Sequence, residues 1–198
     1  LGKILFDSKY EVKEVKDFHI DGIKVRSYRN STQPNQKVIV YFHGGGFVFY
    51  NIESHDYVAR RLSSMNDCTV ISVDYRLAPE HTFPAAHEDA YKVIEYVATH
   101  ANELGVDASK LVVAGDSAGG NLAACACHHF KQHSTVKIAA QILTYPWVDG
   151  KIESDSIEKY KEGLIVSSAC LAGEIHRKIE NGKLEEAKET VLWYKNTF

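Results

Sequence analysis

The sequence predicts an α/β fold, a mostly parallel sheet flanked by helices. Three observations point there. Short runs such as Val38-Ile39-Val40-Tyr41-Phe42 and Cys68-Thr69-Val70-Ile71-Ser72-Val73 alternate with stretches whose apolar residues recur at helical spacing. The first run is continuously apolar, as a strand buried on both faces must be. A third run, Leu111-Val112-Val113-Ala114, passes through Gly115-Asp116-Ser117-Ala118-Gly119-Gly120 straight into Asn121-Leu122-Ala123-Ala124-Cys125-Ala126-Cys127, which reads as a buried helix.

Taken in order, residues 10–29 predict two antiparallel strands. Val12, Val15 and Phe18 lie in the first, Ile23, Val25 and Tyr28 in the second, and Asp21-Gly22 turns between them. A polar loop, Asn30 to Gln36, leads to the strand Lys37 to Phe42, which runs into His43-Gly44-Gly45-Gly46-Phe47. A helix is expected from Ser54 to Ser64, with Tyr57, Val58 and Leu62 as its apolar face. The strand Cys68 to Val73 ends in Asp74-Tyr75-Arg76-Leu77-Ala78-Pro79-Glu80. After Pro84 a helix is expected to about Leu104, carrying Ala90, Val93, Ile94 and Val97. Asp107 to Lys110 then turns the chain into the strand at Leu111, and Ile138 to Thr144 is one more strand, ended by Tyr145-Pro146. From 151 onward the sequence is polar and helical in pattern, with Leu184, Ala187, Val191, Leu192 and Tyr194 on one face, as a lid over the sheet's active edge would be.

Composition narrows the function. The 198 residues fit one domain, and 44% hydrophobic with 25% charged is ordinary for a globular chain. A net charge of −3 carries no basic footprint for nucleic acid. No apolar run approaches the length of a membrane span, and Leu1 to Phe6 is too short for a signal peptide. Cys68, Cys125, Cys127 and Cys170 show no metal-type spacing and read as reduced, favouring a cytoplasmic setting.

Gly-x-Ser-x-Gly between a strand and a helix is the pattern of a nucleophile elbow. A strained turn lifts the serine hydroxyl clear of the sheet. Flanking glycines let neighbouring backbone pass close, and the new helix aims its positive end at the reacting centre. On this reading Ser117 is the candidate nucleophile.

Three motifs stand together: His43-Gly44-Gly45-Gly46, Asp74 to Glu80, and Gly115 to Gly120. With Phe83-Pro84-Ala85-Ala86, Asp89 and Tyr145-Pro146, they resemble the hormone-sensitive-lipase-like family of α/β-hydrolase esterases. The resemblance implies hydrolysis of small carboxylic esters with short or medium acyl chains, without cofactor or metal. It implies Ser117 as nucleophile and an oxyanion hole of backbone N–H groups from the glycine loop and Ala118. Gly45 and Gly46 are favoured within that loop, with Gly44 close behind. His43 is expected to set the loop's conformation, and Arg76 to pair with Glu80 or Asp89. Asp116, Tyr145 and Asp149 are candidate residues of the substrate pocket.

The family's later Asp-Pro-Leu and His-Gly-Phe patterns, and the strands that carry them, are absent here. We therefore expect 1–198 to be one domain that is a fragment of a longer one, its 151–198 stretch lid-like. The order Ser117, Asp149, His176 formally allows a substitute triad, although His176 reads as a surface residue. His129 and His133 share a helix face, but no third metal ligand accompanies them. A non-catalytic ligand-binding relative lacking the general base is the alternative function. An unpaired sheet edge after Thr144 makes a homodimer the candidate assembly.

Overall fold

The computed structural model describes residues 10–133, 136–148, and positions 182, 183, 185, 186 and 189. The chain divides into two units, Leu1–Val148 and Asp149–Phe198. Every element below belongs to the first.

Among the described residues six strands form one mixed sheet in the order β1-β2-β4-β3-β5-β6. Strands β1 (Glu14–Ile20) and β2 (Ile23–Arg29) make the expected hairpin. Asp21 and Gly22 carry φ of 50° and 84°, the double positive φ of a primed turn that matches strand twist. Strand β2 joins β4 (Thr69–Val73) antiparallel. From β4 through β3 (Gln36–Phe42) and β5 (Val106–Asp116) to β6 (Ala140–Thr144) the pairing is parallel.

Period-2 side-chain alternation divides the core. Val38, Val40, Phe42, Ile71, Val73, Leu111 and Val113 face one cluster, and Ile39, Tyr41, Val70 and Ala114 face the other. Helix α1 (Asp56–Asn66) covers the second face through Ala59. Helices α2 (Ala85–Thr99) and α3 (Ala118–His133) cover the first through Ala86, Ala90, Val93, Ile94, Val97, Leu122, Ala123 and Ala126.

Several boundaries differ from expectation, each for a local reason. Helix α1 starts two residues late because the Ser54 hydroxyl is engaged by a turn: it donates to Asn51 O (2.7 Å) and accepts from Asn51 N (3.0 Å). Its buried face is Ala59 and Ser63, with Val58 and Leu62 flanking rather than leading. Helix α2 stops at Thr99, short of Leu104. The chain unwinds through turns to Gly105, whose φ of 65° suits only glycine well. The turn expected at 107–110 lies inside β5, where Asp107 accepts from Ser109 N and Oγ (2.9 and 2.6 Å) and the register with β3 shifts between Gln36 and Val38. The turn signal became a bulge.

Topology places the site. The chain passes from β3 to β4 in one direction along the sheet, then from β4 back across β3 to β5. The helices of these two crossovers cover opposite faces. The direction reverses between β3 and β5, and ligands of open α/β sheets bind beyond the strand C-termini at such a point. Phe42 pairs with Gly115 there, so the loop after β3 and the turn after β5 emerge side by side.

Candidate active site

Ser117 occupies the single-residue step between β5 and α3, at φ 52°. A left-handed backbone at a non-glycine residue is strained and needs fixed partners. Ser117 N donates to Thr144 O (3.0 Å), while its carbonyl accepts from Trp147 N (3.0 Å) and from Asn121 N (3.1 Å). The end of β6 thus clamps the elbow from outside. The closest approach is at Gly119, where a Cβ would fall 1.9 Å from Phe42 O and 2.6 Å from His43 O. Only glycine lets the first turn of α3 pass the end of β3.

The glycine loop curls beside this serine. Val48 N and Phe49 N both donate to Gly45 O (3.1 and 2.9 Å). Gly45 and Gly46 have φ of 129° and 64°. Gly44 N donates to Asp116 Oδ1 at 3.0 Å, so its hydrogen is already taken. The N–H groups of Gly45, Gly46 and Ala118 have no partner among the described residues. Ala118 is the first residue of α3, where backbone N–H groups are unpaired by construction. The loop and helix start therefore bring two sets of donors, unpaired among the described residues, to the two sides of the Ser117 turn.

His43 is fully buried and stacks on Tyr75 with ring centroids 4.4 Å apart. Its Nδ1 lies 2.7 Å from Gly44 O, which can only accept, so Nδ1 carries the proton. Nε2 is buried and has no partner among the described residues. Burial holds the imidazole below its ordinary pKa, the Gly44 carbonyl opposing. This histidine braces the loop, as expected. Tyr75 Oη donates to His43 O (2.7 Å), and Ala78 N donates to Phe47 O (2.8 Å), so the Asp74 to Glu80 segment braces it too. Arg76 pairs with Asp89 through Nε and Nη2 (2.9 and 2.7 Å), with Glu88 a weaker second partner at 3.4 Å; Glu80 takes no part in this pair.

Asp116, expected at the pocket, has its carboxylate turned to the back of the glycine loop. It accepts from Tyr41 Oη (2.6 Å) and Gly44 N, and His55 Nε2 stands 3.6 Å away, an ion-pair distance rather than a short hydrogen bond. Burial works against its charge, yet His55, Tyr41 and Gly44 outweigh burial and hold the carboxyl below its usual range. Tyr41 and His55 had no signal in the sequence: one sits inside an apolar strand, the other just ahead of a helix.

Tyr145 follows directly on β6 at φ 38° and is exposed. His87 Nε2 lies 3.1 Å from Asn121 Oδ1, tying α2 to α3, and Asn121 Nδ2 donates to Trp147 O (2.7 Å). His129 stacks on Tyr91 at 4.2 Å. No group of residues fit to hold a metal occurs among the described residues. Asp149, His176 and Cys170 lie outside the described residues, as does nearly all of the 151–198 stretch.

A family model described as the alpha/beta hydrolase fold matches residues 39–179. Esterase LipI of Mycobacterium tuberculosis is 44% identical over 139 residues, 67% of this chain and 43% of that protein. The arylesterase of Saccharolobus solfataricus is 38% identical over 159 residues, 78% of this chain and 52% of that one. Among solved structures, the thermostable carboxylesterase EstE1, cloned from a metagenomic library, superposes with a TM-score of 0.72 at 37% identity, covering 95% of this chain and 60% of that one. The chain spans about half the length of the curated relatives it matches. The chain belongs to the α/β-hydrolase fold family, in its hormone-sensitive-lipase-like group.

Proposed function

We propose that Ser117 is the nucleophile of a serine carboxylesterase acting on small esters with short or medium acyl chains. Ser117 Oγ attacks the ester carbonyl and passes its proton to a histidine base. The carbonyl oxygen becomes an oxyanion held by the N–H groups of Gly45, Gly46 and Ala118. Collapse expels the alcohol and leaves an acyl-enzyme, which water cleaves by the reverse route. The chemistry calls for no cofactor, because fixed N–H donors stabilise the charge as it develops. Asp149 and His176 follow Ser117 in the order a triad on this fold uses, so His176 is the first residue of this chain to mutate in search of the base. The free thiols Cys68, Cys125 and Cys127 fit a reducing, cytoplasmic setting.

One observation carries this reading. A serine held at positive φ by three backbone hydrogen bonds adjoins a loop whose N–H groups at Gly45 and Gly46 are left unpaired among the described residues. A turn that served only structure would have no use for either cost. Family membership and the names of the relatives support it. The test is covalent labelling with a fluorophosphonate. Labelling should map to Ser117 and vanish in Ser117→Ala, with turnover falling by several orders of magnitude. Labelling that persists in Ser117→Ala overturns the assignment.

A further inference from the structure

Behind the glycine loop lies a polar cluster that a nucleophile elbow does not by itself require. Tyr41 is the last residue but one of β3, His55 immediately precedes α1, and Asp116 ends β5. Tyr41 Oη and Gly44 N both donate to Asp116 Oδ1, at 2.6 and 3.0 Å, and His55 Nε2 faces Oδ2 at 3.6 Å. The carboxylate lies flat against the loop, for a Cβ on Gly44 would fall 2.2 Å from Oδ2. His55 is fixed in turn. Its Nδ1 is 2.9 Å from Ser54 Oγ, and its ring packs against His43 and Tyr50 at 5.5 and 5.8 Å. The cluster is screened from solvent, with Tyr41 3% exposed and the His55 and Asp116 side chains each 14%.

Desolvating a phenol, an imidazole and a carboxylate opposes folding, and apolar side chains of similar shape would fill this space at less cost. What apolar groups would not supply is direction. Asp116 is the last residue before the nucleophile, and its carboxylate fastens the first residue of the glycine loop. We infer that Tyr41, His55 and Asp116 are positioning residues of the oxyanion hole: they lock Gly44 to the elbow so that Gly45 and Gly46 aim at the oxyanion formed on Ser117. The inference rests on the esterase reading, and none of the three touches substrate.

The test uses Tyr41→Phe, His55→Gln, Asp116→Asn and Asp116→Ala in the intact protein. A misplacement of about 1 Å costs on the order of 10²-fold, so Tyr41→Phe and His55→Gln should lower kcat about 10- to 100-fold. KM should stay within about two-fold, because the ground-state ester gains little from the hole. A trifluoromethyl ketone, which forms a tetrahedral oxyanion on serine, should weaken by the factor lost in kcat/KM. Asp116→Asn keeps an acceptor for Tyr41 and Gly44, and should recover part of what Asp116→Ala loses. Wild-type kcat and ketone affinity in Tyr41→Phe, or a loss confined to KM, overturns the inference whatever happens to Tm. If the Asp116 variants fail to fold, Tyr41→Phe decides alone, since it removes one oxygen. Wild-type protein whose Ser117 resists fluorophosphonate sinks the esterase reading and this inference with it. Labelled wild type beside an unaffected Tyr41→Phe sinks the inference only.

Discussion

Gly45→Ala should separate the loop's chemistry from its shape. A Cβ built on Gly45 falls 2.0 Å from Phe49 O and 2.8 Å from Phe49 C, while real Cβ contacts do not go below 3.0 Å. Phe49 O must therefore retreat by about 1 Å. It sits in the same curl whose N–H donates to Gly45 O at 2.9 Å, so that bond opens too. Alanine also resists the φ of 129° that residue 45 adopts. The amide of Gly45 then leaves the position an oxyanion needs. Losing one such donor typically costs about 10²–10³-fold in kcat, roughly 2.7–4 kcal/mol of transition-state stabilisation. Gly46→Ala is the internal control. Its Cβ meets nothing within 4 Å, and the remaining cost is a left-handed φ of 64°, roughly 1–2 kcal/mol. Steady-state kinetics on a p-nitrophenyl ester should show Gly45→Ala losing kcat at nearly unchanged KM, with Gly46→Ala well above it. A pure KM effect for Gly45→Ala would show that the loop shapes the pocket and stabilises no charge. Equal losses in the two variants would show that the clash does not govern the loop.

Other outcomes follow from the same geometry. Gly119→Ala puts a Cβ 1.9 Å from Phe42 O, so β3 and α3 must part. Overpacking of this kind costs roughly 1–3 kcal/mol, and differential scanning calorimetry should show Tm lowered by about 2–12 °C, together with loss of activity. Asp89 is 1% exposed and accepts from Arg76 N, Nε and Nη2. Asp89→Ala should cost about 2–3 kcal/mol in urea unfolding, in the range of hydrogen bonds to a charged group; an unchanged midpoint would deny the brace its role. The Asp116 carboxyl is held below its usual 3.8, so its contribution to stability is complete above 3.8 and fades as pH falls through the lower folded value. The Tm gap between wild type and Asp116→Asn should accordingly close in acid below 3.8, and a gap that widens there reverses the sign assigned to this group.

The fold was legible wherever sterics or burial leave few options. Val38 to Phe42 and Val70 to Val73 are buried on both faces, and apart from Ser72 and the Tyr41 hydroxyl their side chains are apolar, so the runs announce themselves. The elbow was legible because the 1.9 Å approach at Gly119 admits no side chain. Helix ends were read less well. They depend on single hydrogen bonds, such as Ser54 turning to Asn51, that compete locally with the helix. The positioning cluster was illegible for a different reason. Tyr41, His55 and Asp116 come from three elements that meet only after β5 settles beside β3, and a tyrosine within an apolar strand reads as core until its hydroxyl is seen to have a partner 75 residues away.

Among the described residues the site is built mostly of backbone, and that dictates what must hold it. A backbone N–H is aimed by φ and ψ rather than by a side-chain rotamer, so each donor is only as well placed as the chain around it is constrained. Gly45 and Gly46 meet that demand without strain because they lack Cβ. Ser117 does not, and a φ of 52° at a serine costs of order 1–3 kcal/mol when nothing opposes relaxation. Its opposition comes from Thr144 O and Trp147 N, on a segment more than two dozen residues further along the chain. The end of β6 is therefore as much a part of the elbow as the Gly-x-Ser-x-Gly pattern. A sequence that kept the pattern and lost that strand would keep the serine without the conformation that the proposed nucleophile requires.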